Sequence, residues 1–144
     1  MLGRDMNSHK KKIFGQCLCG AVRYEISGSL SDPHACHCSQ CRRQSGHHTV
    51  TTHLKRTDFL LTEERGLKWY RSSKTAERGF CAECGSSLFW DDGGDEVYIS
   101  AGSLNQPTGL TLAKHIFVDE KADYYEIGDD LPKFASYDRA LVSD

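Results

Sequence analysis

The sequence predicts a mainly β fold of short antiparallel strands with little helix, and two observations predict it. Val22, Tyr24 and Ile26 alternate with Arg23 and Glu25, the period-two pattern of a half-buried strand. Further short runs rich in Thr, Val and aromatic residues recur along the chain, divided by Gly-rich turns.

In chain order, residues 1–12 are expected to form a disordered tail, polar and ending in Lys10-Lys11-Lys12. The folded domain is expected over residues 13–136, with a short tail over 137–144. Residues 13–20 lead past Gly15 and Gly20 into a strand at 22–26, and 28–33 read as a loop. Cys41-Arg42-Arg43-Gln44-Ser45 opens a short helix that Gly46 can end. Residues 48–54, 58–61 and 67–71 read as strands, the last followed by a turn at Ser72-Ser73. Residues 77–80 lead into Cys81. The strands 87–90 and 96–100 are joined as a hairpin by Asp91-Asp92-Gly93-Gly94-Asp95, a solvated turn rather than a calcium loop. A loop containing Pro107 spans 102–109, a last strand spans 114–118, and 119–125 reads as a short helical turn. Beyond it the chain is expected to pack irregularly.

A length of 144 residues suits one domain. The net charge of -2 argues against a general polyanion-binding surface, and hence against nucleic acid as a partner. No apolar run approaches the roughly 18 residues that cross a membrane. No apolar segment follows Lys10-Lys11-Lys12, so no secretory signal is read and a cytoplasmic location is expected. There, seven clustered cysteines point to metal binding rather than to disulfides.

The cysteines fall into three groups. Cys81-Ala82-Glu83-Cys84-Gly85 is a C-x2-C turn that aims two sulfurs at one point, half of a tetrahedral zinc site. Cys17-Leu18-Cys19 can supply the other half, because residues i and i+2 of an extended segment face the same side. Closing a site across roughly 60 positions makes metal binding part of the folding free energy. That leaves Cys36, Cys38 and Cys41 as a second zinc site with three protein thiolates. An open fourth position is the mark of a catalytic site, and three thiolates suit it to capturing the thiolate of a small thiol. A closed site, with one of His34, His37, His47 or His48 as fourth ligand, stays open at this point, although His37 should point away from its flanking cysteines. Arg42 and Arg43 are candidate carboxylate clamps, and Ser45 and His47 are candidate pocket residues, with His47 or His48 as a proton shuttle.

These residues resemble a known family. Residues 15–24, with Gly15-Gln16-Cys17-Leu18-Cys19-Gly20, resemble the opening motif of the glutathione-dependent formaldehyde-activating (GFA/CENP-V) family. Cys36-His37-Cys38-Ser39-Gln40-Cys41-Arg42-Arg43 is similar to its second motif, and residues 78–86 are similar to its third. Ala101-Gly102-Ser103-Leu104 and His115-Ile116 are similar to weaker family features. Tyr124-Tyr125 departs from the pattern, which leads one to expect a tryptophan nearby, and His47-His48 stands where a small residue often follows.

The resemblance implies a β-tent-type fold and a structural zinc at Cys17, Cys19, Cys81 and Cys84. It also implies a catalytic zinc at Cys36, Cys38 and Cys41, where a glutathione thiol can bind. The implied activity is carbon–sulfur bond formation between glutathione and formaldehyde, the chemistry of S-(hydroxymethyl)glutathione synthase. A small-molecule thiol is then the expected partner, and a homodimer stays open. The competing readings are a non-catalytic zinc module that binds protein or nucleic acid through Lys10–Lys12, Arg42-Arg43 and Lys55-Arg56, and a thiolate cluster that sequesters metal or senses oxidants.

Overall fold

A computed structural model describes residues 11–137. The expected tails therefore lie mostly outside the described residues. Ten strands form two sheets, in keeping with the expected β-rich class. A three-stranded antiparallel sheet has the order β1–β2–β5, from β1 (Ile13–Gln16), β2 (Arg23–Ile26) and β5 (Phe59–Glu63). A seven-stranded sheet has the order β10–β3–β4–β9–β8–β7–β6. Its strands are β3 (His34–Cys36), β4 (Thr49–Lys55), β6 (Leu67–Arg71), β7 (Glu77–Cys81), β8 (Ser87–Asp91), β9 (Glu96–Ser100) and β10 (Lys114–Ile116). All neighbours pair antiparallel except β3 and β10, which run parallel and align His115 with Ala35 and Ile116 with Cys36.

Two adjacent rows of the large sheet explain its two faces, since directly opposite residues share a face. Trp69, Gly79, Phe89, Ile99 and Thr52 form one row. It faces the small sheet, where Tyr24 and Phe59 meet Phe89 at ring distances of 5.6 and 5.4 Å. Tyr24, Ile26, Leu88 and Ile99 are fully buried in this core, each contributing about 1.5–3 kcal/mol of apolar burial. Trp69 stacks on Phe89 at 6.0 Å across Gly79, whose missing side chain leaves the space: a Cβ there would lie 3.0 Å from both rings.

The next row, Tyr70, Arg78, Trp90, Tyr98 and His53, faces the other way. On this face Trp90 meets Tyr98 edge-on at 5.1 Å. The hairpin turn between β8 and β9 is held by Arg56, whose guanidinium grips Asp91 at 2.6 and 2.9 Å and donates to the Gly94 carbonyl.

The single α-helix of the described residues, α1 (Ser39–Ser45), begins two residues before the expected start. Cys38 is its N-cap, and the Cys38 sulfur accepts the Cys41 amide at 3.3 Å. Gly46 closes it in the left-handed region at φ 93°, as expected from its place after Ser45. The 119–125 segment contains a 3-10 turn at Val118–Glu120. No helix among the described residues is long and apolar enough to cross a membrane.

Candidate metal centres

The first centre joins two loops. The β1–β2 loop carries Cys17 and Cys19, and the end of β7 with the turn after it carries Cys81 and Cys84. The four sulfurs lie within 4.8 Å of one another. Gly85 holds the second turn at φ 83°, a conformation L side chains rarely adopt, and its amide bonds the Cys81 carbonyl at 2.7 Å. Ser86 ties the loops together: its hydroxyl accepts the Leu18 amide at 3.0 Å and lies 3.2 Å from the Cys84 sulfur. Hydrogen bonds from the Ser86 hydroxyl and amide hold the Cys84 thiol down to about 5. Cys17 and Cys81 are buried, and the Cys17 sulfur also accepts the Val22 amide at 3.3 Å.

The donor set fits a tetrahedral thiolate centre. Zinc–sulfur bonds of about 2.3 Å set sulfurs about 3.8 Å apart along a tetrahedron edge. The Cys17–Cys19 and Cys19–Cys81 sulfur separations are both 3.8 Å.

The second centre lies on the opposite face of the large sheet. Cys36 ends β3, Cys38 caps α1 and Cys41 sits in its first turn. Their three sulfurs also lie within 4.8 Å of one another, and among the described residues no histidine nitrogen joins the set. Ile116, Phe117 and Phe134 wall the cluster. Hydrogen bonds with the Cys36 and Cys38 sulfurs, reinforced by the Arg78 charge, hold Cys41 down to about 2, while the same contacts push Cys36 up.

The start of α1 is fixed by the segment after β10. Glu120 accepts the Ser39 amide at 2.9 Å on its carboxylate and the Arg42 guanidinium at 3.1 Å on its carbonyl.

His37, between Cys36 and Cys38, is committed elsewhere. Its Nε2 lies 2.9 Å from His115 Nδ1, and its Nδ1 meets the Tyr125 hydroxyl. His115 Nε2 lies 2.9 Å from the Asp129 carboxylate. The hydrogen bond from His115 holds Asp129 below the usual carboxylate range, so this end only accepts. Burial, then the neighbouring His48 and His115, press His37 down to about 4, so its ring is neutral near pH 7. The chain is therefore directed: Tyr125 donates to His37, His37 to His115, and His115 to Asp129. Both nitrogens of His37 are thereby turned from the cysteines, as its position between two ligands predicts.

The four candidate pocket residues divide. Arg42 and His47 converge on Tyr124 and Tyr125: His47 Nδ1 lies 3.1 Å from the Tyr124 hydroxyl, and its ring stacks on Tyr124 at 5.6 Å. His48 lies 4.3 Å from the His47 ring. Ser45 instead donates to the Cys41 carbonyl at 2.7 Å within its own helix, and Arg43 is exposed. Phe89 is a core residue. Arg78, His115, Tyr125 and Asp129 were not singled out as site residues. His115 and His37 meet only through the parallel β3–β10 pair, 78 positions apart, which leaves no local pattern.

A surface groove of about 930 Å³, lined in part by Lys12, Phe14, Lys55 and Pro107, shares no lining residue with either cluster.

Comparison with known proteins adds to this picture. The profile of the family described as glutathione-dependent formaldehyde-activating enzyme matches residues 12–120. An uncharacterised lyase of Schizosaccharomyces pombe is 26% identical over 124 residues, covering 83% of this chain and 88% of its own. A Halomonas elongata protein provisionally named a glutathione-dependent formaldehyde-activating enzyme is 28% identical over 130 residues, covering 78% of this chain and 79% of its own. The crystal structure of a Rhodobacter sphaeroides protein is similar with a TM-score of 0.54 at 27% identity, covering 67% of this chain and 91% of that one.

Proposed function

We propose that this chain, which belongs to the glutathione-dependent formaldehyde-activating family, is a zinc-dependent carbon–sulfur lyase that joins a small thiol to an aldehyde, with glutathione and formaldehyde as the first pair to try. The observation that carries the reading is the contrast between its two clusters. One offers four sulfurs at tetrahedral spacing, and the other offers three, with His37 turned away from it.

On this reading Cys17, Cys19, Cys81 and Cys84 hold a structural zinc, and Cys36, Cys38 and Cys41 hold a second one. Zinc bound at three thiolates supplies an open position at which a substrate thiol is kept ionised and nucleophilic. The protein's own residues do the rest. Arg42 and His47, gathered with Tyr124 and Tyr125 beside α1, border the approach and orient an anionic substrate. Ile116, Phe117 and Phe134 exclude water from the inner side. The bond made is between the thiol sulfur and the aldehyde carbon. The carbonyl π pair moves to oxygen, which gains a proton, and the thiol gives one up. His47, exposed and hydrogen-bonded to Tyr124, is the candidate to carry that proton.

The alternative of a nucleic-acid-binding module draws less support. Among its basic residues, Arg56 is spent on Asp91 and Gly94, and Lys12 pairs with Glu25 at 3.0 Å.

Zinc per chain, measured with and without glutathione, tests the proposal. Two zincs are expected, the second released more slowly to a chelator when glutathione is present. One zinc, indifferent to glutathione, would overturn the enzymatic reading and leave a structural zinc protein.

A further inference from the structure

Arg78 is an unusual neighbour for a sulfur cluster. It stands on the outward row of β7 with 8% of its surface exposed. Its Nη1 and Nη2 lie 3.7 and 3.8 Å from the Cys41 sulfur, and Nη2 also donates to Gln40 Oε1 at 3.1 Å. Its Nε is buried with no hydrogen-bond partner. Among the described residues no carboxylate pairs with it. Glu77, its neighbour in β7, is engaged by Arg71 at 3.4 Å instead.

A guanidinium keeps its proton in any protein environment, and burying it is costly unless an anion lies close. Here the anion in reach is the sulfur cluster itself. Three thiolates around a divalent metal leave one excess negative charge. A fourth ligand that is itself an anion raises the excess to two, within walls formed by Ile116, Phe117 and Phe134. In so dry a place that excess is poorly screened. Arg78 removes one unit in either state, and the relief is greatest when the fourth ligand is charged. A neutral fourth ligand, such as water or an imidazole, gains much less from it.

We propose that Arg78 is a specificity-determining residue of the three-cysteine site: its buried guanidinium is the counter-charge that lets this site take an anionic thiolate as fourth ligand in preference to a neutral one. The inference rests on the thiol-binding reading above and gives that reading its selectivity.

Cobalt(II) tests it, because sulfur-to-cobalt absorption reports each bound thiolate without reference to turnover. The full chain loaded with cobalt is titrated with 2-mercaptoethanol and, separately, with imidazole, as the parent and as Arg78→Met and Arg78→Lys. In the parent, the thiol should add absorption at the second site. Arg78→Met should weaken thiol binding by about ten- to a hundredfold while imidazole binding stays near the parent's. Arg78→Lys, which keeps the charge, should recover most of the thiol affinity. Absorption from the four-cysteine site reports in every sample that the fold persists. Thiol binding by Arg78→Met as tight as the parent's would overturn the inference, as would equal losses for thiol and imidazole. Should Arg78→Met lose the second cobalt, Arg78→Lys carries the comparison, and equal losses there overturn it too. A parent that takes up no thiol overturns the reading beneath the inference, which is a different result from a variant that matches its parent.

Discussion

Replacing Cys81 by serine is expected to yield a chain that binds no stoichiometric metal and does not fold cooperatively. Cys81 is completely buried at the end of β7, with its sulfur 3.8 Å from that of Cys19. Its surroundings are built around it: a Cβ at Gly66 would come within 2.8 Å of the Cys81 sulfur and of Ala21. The four-sulfur centre cross-links segments 62 positions apart, and closing a loop of that order is worth roughly 4 kcal/mol in the chain-entropy estimate. The binding free energy of a structural zinc adds about 10–16 kcal/mol in small zinc domains. The sum equals or exceeds the roughly 5–15 kcal/mol by which ordinary domains are stable. Circular dichroism during heating, with zinc measured on the same sample, checks it. A cooperative transition within a few degrees of the parent's would remove the structural role from this centre.

The second large effect is expected from Cys38→Ser, and it should separate chemistry from folding. Cys38 is only half-buried, and its sulfur caps α1 by accepting the Cys41 amide. Serine is itself a favoured N-cap, so the helix keeps its start. Zinc should fall from two per chain to one, with the melting temperature little changed. Turnover of thiol and aldehyde should fall by at least about a hundredfold, more than the loss that follows damage to a metal's outer shell. Parent-level turnover in a variant that has lost its second zinc would sink the proposed mechanism.

Much of this architecture is legible in the sequence, and the parts that are not share a cause. The strands at β2, β4, β5, β6, β8 and β9 follow the expected runs closely, because each has one wet and one dry face or a clear turn at its end. β10 stops at Ile116, two residues early, where Phe117 takes a left-handed backbone at φ 57°. β1, β3 and β7 were read only as approaches to their cysteines. β3 is three residues long and buried throughout, so it has no alternation to read. β7 carries Gly79 and an irregular register with β8 between Gly79 and Phe80, which breaks its period.

The same distinction governs the site. The cysteine clusters are visible because their spacings are local and geometry converts them directly into convergent sulfurs. The contact of Arg78 with Cys41, and the line from Tyr125 through His37 and His115 to Asp129, are made by sheet register and by the return of the chain after β10. Nothing within a short window announces them. Tyr124 and Tyr125 stood out only as a departure from the family pattern, yet they are the residues on which Arg42 and His47 converge.

Strand β7 reaches from one centre to the other. Arg78 stands against Cys41, and Cys81, three residues on, completes the four-sulfur group across the sheet. A single extended segment, spanning about 10 Å between these two residues, is thus anchored at one end by the first metal and supplies the counter-charge of the second at the other. On the two-zinc reading, the sites fill in a fixed order. A chain stripped of its first metal loses the anchor that holds Arg78 in place, so it retains its second metal poorly. A chain stripped of its second keeps the anchor. A half-loaded preparation then contains one molecular species rather than two, and native mass spectrometry during stepwise chelation would resolve it as a single-zinc form that is folded and inactive.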